Sequence, residues 1–283
     1  MAVVHGGTSS PRALDDACRA AAEAGVAAEE ARAIDMAVRA VVALEDDGRF
    51  NAGSGAVTAL DGETIEMDAA VMDSRDLLGA VAAIRDVRNP VRVARAVADS
   101  PHWLLAGEGA QRFAYAVGLT ERHSISPRRP KREAIAARLD LQRLERMWNF
   151  PSPFSATRAR LGGSDTVGAV IRDGHGHFAA ASSTGGLSNK LLGRVGDTPA
   201  VGCGFYAGPR GAFAITGIGE RVVRAQLAFR LHQWLEDGEP LDAVMQRGLG
   251  LFDPKIEIGI IGVSAQMAAV CANRDMAFAM VEA

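Results

Sequence analysis

Gly162-Gly163-Ser164-Asp165-Thr166-Val167-Gly168-Ala169-Val170 runs from a flexible polar segment straight into a threonine that begins an apolar strand. A second apolar run, 177–183, follows across Gly174-His175-Gly176, a hairpin signal. If the turn is centred on His175, Asp173 faces His177 and Thr166 faces Thr184. Directly opposite residues of an antiparallel pair share one sheet face, with Cβ atoms about 4.5–5.5 Å apart. A slip of one residue would separate them. In this register the Thr184 hydroxyl can bond and position that of Thr166. A threonine hydroxyl alone is a poor nucleophile and needs an adjacent base. A free α-amine, with an ordinary pKa of about 7.7–8.0, suits that role. While Thr166 is mid-chain its nitrogen is an amide without basicity. Cleavage at Asp165–Thr166 would therefore both create the site and switch it on.

Outward from the hairpin, helices and strands come in separate runs. Residues 2–4 form a short strand ending at Gly6-Gly7, and Ser10-Pro11 carries the signature of a helix start, with serine as cap. Helices are expected to about Ala24, from about Ala28 to Asp47-Gly48, at 90–99, 103–115, 219–236 and 241–252. Strands are expected at 56–60, 64–72, 77–84, 201–207, 211–216, 256–263, 267–272 and 276–281. Residues 131–147 read as a polar helix and 151–165 as a mobile linker of Pro, Ser, Gly and Thr. The basic run Arg128-Arg129-Pro130-Lys131-Arg132 reads as a solvated face in a chain that is acidic overall. With little βαβ alternation, the order predicts an α+β domain over 1–283: stacked, mainly antiparallel sheets covered by helices.

The chain has 283 residues, 48% of them apolar, enough for a sizeable core. A net charge of −3 leaves no electrostatic footprint for nucleic acid or an anionic membrane. No stretch approaches the ~18 uninterrupted apolar residues of a membrane helix. The start has no basic region followed by a long apolar run, so no signal peptide is expected. Cys18, Cys203 and Cys271 lie far apart without metal-ligand spacing and read as buried free thiols in a reducing compartment. The expected location is cytoplasmic. Neither a G-x-G-x-x-G nor a G-x-x-x-x-G-K-[ST] nucleotide motif is present.

Other segments carry candidate chemistry. Thr216 ends a strand and can lie beside the other two threonines. Gly217, just before a helix, offers an uncrowded N–H to an oxyanion. In Gly193-Arg194-Val195-Gly196-Asp197, the arginine fork fits a carboxylate and the aspartate an ammonium, the two charges of an α-amino acid. Phe50-Asn51-Ala52-Gly53-Ser54-Gly55 resembles a nest that cradles a cation by its carbonyls or puts Asn51 near the site. Each segment alone also reads as ordinary structure: a strand threonine, a surface ion pair, a helix-entry glycine.

Taken together they resemble the plant-type L-asparaginase/isoaspartyl peptidase family of N-terminal-nucleophile hydrolases. The matching pieces are His5-Gly6-Gly7, Leu44-Glu45, residues 50–55, Glu66-Met67-Asp68-Ala69, residues 166–170, Ser183-Thr184-Gly185-Gly186, residues 193–197 and Thr216-Gly217-Ile218-Gly219-Glu220, in family order over nearly the whole chain. The resemblance implies a four-layer αββα sandwich, autocleaved into an α subunit (1–165) and a β subunit (166–283), assembled as a dimer of αβ heterodimers. It implies Thr166 as nucleophile, supported by Thr184 and Thr216, with Asn51 nearby and Thr216 and Gly217 bordering the oxyanion. Arg194 and Asp197 would bind the substrate's α-carboxylate and α-amine, with Gly219 in the same set. Backbone carbonyls at Leu44, Glu45, Asp47, Phe50, Ala52 and Ser54 would hold a structural sodium ion; no catalytic cofactor is expected. The implied substrates are L-asparagine and β-aspartyl dipeptides. Two features depart from the pattern: Thr8-Ser9 after the glycine pair, and Asp165 before the nucleophile, as in glycosylasparaginases. Gly185-Gly186 matches the asparaginase side. A glycosylasparaginase-like hydrolase and an uncleaved, inactive binding protein remain as alternatives.

Overall fold

Strands β1 (Ala2–His5), β5 (Val167–Arg172) and β6 (Phe178–Thr184) are buried throughout except for Arg172 at the end of β5, and they are apolar apart from that arginine, His5 and the Ser182-Ser183-Thr184 end of β6. Such strands must be covered on both faces. The computed structural model, which describes residues 1–27, 31–59, 61–121, 166–188 and 190–282, shows how. One sheet has seven strands in the order β11 (Phe278–Val281), β1, β5, β6, β2 (Met67–Asp73), β3 (Leu78–Ile84), β4 (Leu104–Ala106); only the β3–β4 pair is parallel. The other has four antiparallel strands in the order β10 (Ala268–Ala272), β9 (Ile258–Ser264), β8 (Gly211–Gly217), β7 (Phe205–Gly208).

Three apolar layers follow from the two-residue alternation of strand side chains. Ala2, Val4, Val167, Ala169 and Ile171 face the helices α1 (Asp15–Val26), α2 (Ala33–Asp47) and α3 (Pro90–Val97). Val3, Val170, Ala180, Phe205, Ala212, Ala214 and Ile261 fill the space between the sheets. Phe213 and Ile215 turn outward onto α6 (Leu227–Glu236) and α7 (Leu241–Leu249). The order is helix, sheet, sheet, helix: the expected αββα sandwich.

Helix α2 buries Ile34, Ala37, Val38, Val41, Leu44 and Glu45, a stripe at helical spacing, and stops at Gly48, whose φ of 75° suits a residue without Cβ. It lies across β5 and β6 and so supports the nucleophile candidates from behind.

Several boundaries differ from the sequence reading. Residues 56–59 are not a strand, although Ala56, Thr58 and Ala59 are buried. Residues 103–115 split into β4 and α4 (Gly107–Ala116) at Gly107, whose φ is 54°. The long helix expected at 219–236 is two, α5 (Gly219–Ala225) and α6, broken at Gln226 with φ 48°. Ser10 does not cap a helix. Its hydroxyl donates to the Gly7 carbonyl at 2.6 Å and accepts the Ala277 N–H at 2.9 Å, pinning the loop after β1 to β11's approach. The last two strands, continuous in sequence through Asn273-Arg274-Asp275, belong to different sheets. The polar helix and linker expected over 131–165 lie outside the described residues. Among the described residues, no helix is long and apolar enough to cross a membrane.

Candidate active site

The β5–β6 register is the expected one: Val167 pairs with Ser183 and Arg172 with Phe178, so one residue further along Thr166 stands opposite Thr184. The turn is fixed by Asp173, whose Oδ1 accepts the N–H groups of His175 and His177, both at 2.9 Å. By alternation, Thr166 shares the face of Val170, and Thr184 that of Ala180, both in the inter-sheet layer. Thr216 shares the face of Ala212 and Ala214, across the same layer. A Cβ on Gly168 would lie 3.0 Å from the Ala214 Cβ, so the two strands carrying Thr166 and Thr216 touch there. All three threonines are at most 3% exposed. Thr184 Oγ1 accepts the Gly186 N–H at 2.9 Å, while Thr216 Oγ1 has no hydrogen-bond partner among the described residues.

Asn51 is brought to this end by the loop after α2. Its Nδ2 donates to the Gly186 carbonyl at 2.7 Å, its Oδ1 accepts the Val57 N–H at 3.0 Å, and its own carbonyl accepts the Gly185 N–H at 2.9 Å. Any Cβ at Gly185 would collide with Asn51 Oδ1. The Gly185-Gly186 pair is therefore required by close approach, and Asn51 holds the turn that in turn bonds Thr184.

Arg194, Asp197 and Gly219 converge. A Cβ on Gly219 would lie 2.7 Å from Asp197 Oδ1 and 3.0 Å from Arg194 Nη2. Two opposite charges thus flank one bare Cα just beyond Thr216. Arg194 Nε and Nη2 both donate to Glu220 Oε1, at 3.1 and 3.0 Å. Asp197 is 4% exposed, and its Oδ2 has no hydrogen-bond partner among the described residues. Burial pushes its pKa up to about 7 against the pull of Arg194. Gly217 ends β8 with φ 153°, and a Cβ there would meet the Glu257 carbonyl at 2.5 Å, so the position demands glycine.

The residues of the sodium expectation gather at the C-terminal end of α2, where helix carbonyls lack intrahelical partners and the dipole is negative. A Cβ on Gly53 would sit 2.7 Å from the Glu45 carbonyl, and one on Gly55 would collide with the Phe50 carbonyl. Carbonyl oxygens thus abut bare glycines at this loop, and oxygen donors of this type suit a hard cation.

Four further polar groups stand at this end with no role read from the sequence. Glu220, in the first turn of α5, orients Arg194. His5 is fully buried beside Gly168, and burial lowers its pKa to about 3 despite the nearby Thr166 carbonyl. Asp68 and Lys190, 0% and 2% exposed, lie next to Thr184 and the glycine turn. For His5, Asp68 and Lys190 burial was the missing signal: no spacing rule distinguishes a buried lysine from a surface one.

A threonine heading a central strand of an αββα sandwich, open to the inter-sheet layer, is the architecture of N-terminal-nucleophile hydrolases. The model of the asparaginase family matches residues 3–283, and the chain belongs to that family. It is 39% identical to an isoaspartyl peptidase/L-asparaginase of Macaca fascicularis, over 91% of this chain and 83% of that protein. It is 37% identical to the human isoaspartyl peptidase/L-asparaginase, with the same coverage. A plant-type L-asparaginase of Pyrobaculum calidifontis is 39% identical over 93% of this chain and 90% of its own length.

Proposed function

We propose that the chain is an autoprocessed threonine amidohydrolase that releases L-aspartate from L-asparagine and from β-aspartyl dipeptides. Cleavage at Asp165–Thr166 gives an α subunit of residues 1–165 and a β subunit of 166–283. The observation that carries this reading is the Arg194–Gly219–Asp197 cluster, a pair of opposite charges beside the end where three threonines gather. The names of the relatives point to the same two substrates.

Thr166 Oγ1 attacks the side-chain carbonyl of the substrate, and its α-amine takes the proton. Arg194 receives the α-carboxylate and Asp197 the α-ammonium, so only an aspartyl group attached through its side chain presents its amide to Thr166. Asp197 must be ionised to do this, so substrate capture weakens as pH falls below about 7. The Gly217 N–H and Thr216 hydroxyl stabilise the oxyanion, and ammonia or an amine leaves. Water then attacks the ester carbonyl, breaking its bond to Thr166 Oγ1 and releasing aspartate. Leu44, Glu45, Asp47, Phe50, Ala52 and Ser54 would hold a sodium ion by their carbonyls; when bound it neutralises the end of α2 and stiffens the loop bearing Asn51. The assembly is a dimer of αβ heterodimers, and exposed Val201, Val223 and Phe229 offer apolar surface for it. A cytoplasmic location accords with three free, buried cysteines.

The test is denaturing electrophoresis with sequencing of the smaller fragment, expected to begin Thr-Val-Gly. It is paired with ammonia and aspartate release from asparagine and β-aspartyl dipeptides. An intact chain inert to both substrates would overturn the reading.

Thr184→Val keeps the branched shape and strand preference but removes the hydroxyl. Turnover of the cleaved variant is expected to fall about 10²–10³-fold, the scale of one lost positioned catalytic hydrogen bond. Wild-type turnover would make Thr184 an ordinary strand residue.

A further inference from the structure

Asp68 pairs with Thr184 across the β2–β6 ladder, and Thr184 stands opposite Thr166. Residues directly opposite in neighbouring strands share a face, so Thr166, Thr184 and Asp68 form one row. Asp68 belongs to the inter-sheet side with Ala70, as both threonines do. Two strand spacings put its carboxylate roughly 10 Å from Thr166. It is fully buried; Oδ1 accepts the Ala83 N–H at 2.8 Å, and Oδ2 has no hydrogen-bond partner among the described residues. Ala83 delivers that N–H from φ 49°, at the irregularity where the β2–β3 register shifts. Strain of this kind persists only where its surroundings impose it.

Beyond the Asp68–Thr184 rung the ladder ends, and Lys190 takes over. Its Nζ donates to the Glu66 carbonyl at 2.6 Å on one strand's approach and to the Gly185 carbonyl at 2.8 Å just after Thr184. An ammonium thus bridges two backbone carbonyls at the edge of the site. Burial pulls the Lys190 ammonium below and pushes the Asp68 carboxyl above their ordinary pKa values, and the charge of each works against that shift in the other.

We infer that Asp68 and Lys190 are a charge-balanced pair of positioning residues: Lys190 fixes the Thr184–Gly186 turn, and together they set the electrostatic environment of the Thr166 α-amine. The inference rests on the proposed reading of that amine as the base. Other ionisable groups face the same region from every side: His5 on β1, Glu66 on β2's approach with its partner Arg85, Glu45 on α2 behind Ser183, Arg194 and Asp197 in the loop after β6, and Glu220 on α5. These side chains are all retained in the variants; Asp197, whose pKa the Asp68 charge also raises, is engaged by substrate in the complex whose titration is followed.

The experiment is the acid limb of the kcat–pH profile of cleaved enzyme, with asparagine as substrate. In the bound complex Asp197 is already paired with the substrate, so this limb reports the base. Lys190→Met leaves Asp68 uncompensated; a bare negative charge favours the ammonium form of Thr166, and the limb moves to higher pH. Asp68→Asn leaves Lys190 uncompensated; the amine titrates lower, and the limb moves to lower pH. A unit charge at roughly 10 Å predicts displacements of about one pH unit. The double variant returns to the wild-type midpoint, and kcat falls at least about tenfold in Lys190→Met with KM changed less. A purely structural role would lower stability and kcat in both single variants without displacing the limbs in opposite senses. That result, or unmoved limbs, overturns the inference. If Lys190→Met does not accumulate as cleaved protein, the Asp68→Asn arm decides alone: a limb unmoved or moved upward overturns it. A wild type that stays intact and inactive sinks the underlying reading and this one with it; an active wild type with unmoved limbs in the variants sinks this one only.

Discussion

Thr166→Ala runs as one intact chain of about the full 29.7 kDa and releases no aspartate from either substrate. Two losses coincide in that variant. The hydroxyl that attacks the preceding peptide bond is gone, so no new amino terminus forms. The hydroxyl that attacks substrate is gone as well. Removing a nucleophile from a unit that acts together commonly costs about 10⁴-fold or more in turnover. The fold is expected to survive, because Thr166 heads β5 and the neighbouring Val167 carries the ladder to Ser183. Thr166→Ser keeps a hydroxyl and is expected to retain part of both reactions. Electrophoresis separates the two losses from a folding failure when circular dichroism and melting temperature match the wild type. A mature wild type that is active while still one chain would remove the basis for the mechanism.

Arg194→Ala is expected to lower kcat/KM by about 30-fold to several thousand-fold, while cleavage at Thr166 proceeds at close to the wild-type rate. The range corresponds to the ~2–5 kcal/mol typical of losing one partner from a desolvated charged pair. Arg194 is 16% exposed in its side chain and braced by Glu220, so its fork is pre-aimed. The variant also leaves Glu220 without that cation, which places a negative group where the substrate's carboxylate must go. Arg194→Lys keeps the charge but not the planar fork, and is expected to recover only a fraction of the loss. An unchanged kcat/KM in Arg194→Ala would remove this residue from substrate recognition.

The contrast between these two sites shows what the sequence made legible. The hairpin register could be read from Gly174-His175-Gly176 because a tight turn fixes every rung after it, and Thr166 opposite Thr184 followed. The stacked antiparallel sheets followed from helices and strands falling in separate runs with little βαβ alternation, and the αββα layer order from the family resemblance. Boundaries were less legible where a single backbone torsion decides them. Gln226 breaks an unbroken helical pattern by adopting φ 48°, and nothing in its neighbours' apolar spacing announces it. Residues 56–59 are mostly buried, yet their N–H groups find partners outside any sheet: that of Val57 bonds Asn51 Oδ1 and that of Ala59 the Thr64 carbonyl. Arg194 and Asp197 were readable as a pair by charge and spacing. Glu220, His5, Asp68 and Lys190 were not, because their significance lies in burial and in partners distant along the chain.

The strands on either side of the proposed cut are interleaved. In the large sheet β5 and β6 lie between β1 and β2, and β11 closes the far edge against β1. Residues before and after position 166 therefore share a single hydrogen-bonded ladder. Before the cut, folding is a unimolecular search; afterwards, regaining the same sheet requires two separate molecules to meet and thread alternate strands. The mature protein would then be held by its unfolding barrier more than by a reversible equilibrium. Once unfolded in dilute solution, it should recover slowly and in proportion to concentration, whereas the uncut Thr166→Ala chain refolds at a rate independent of it.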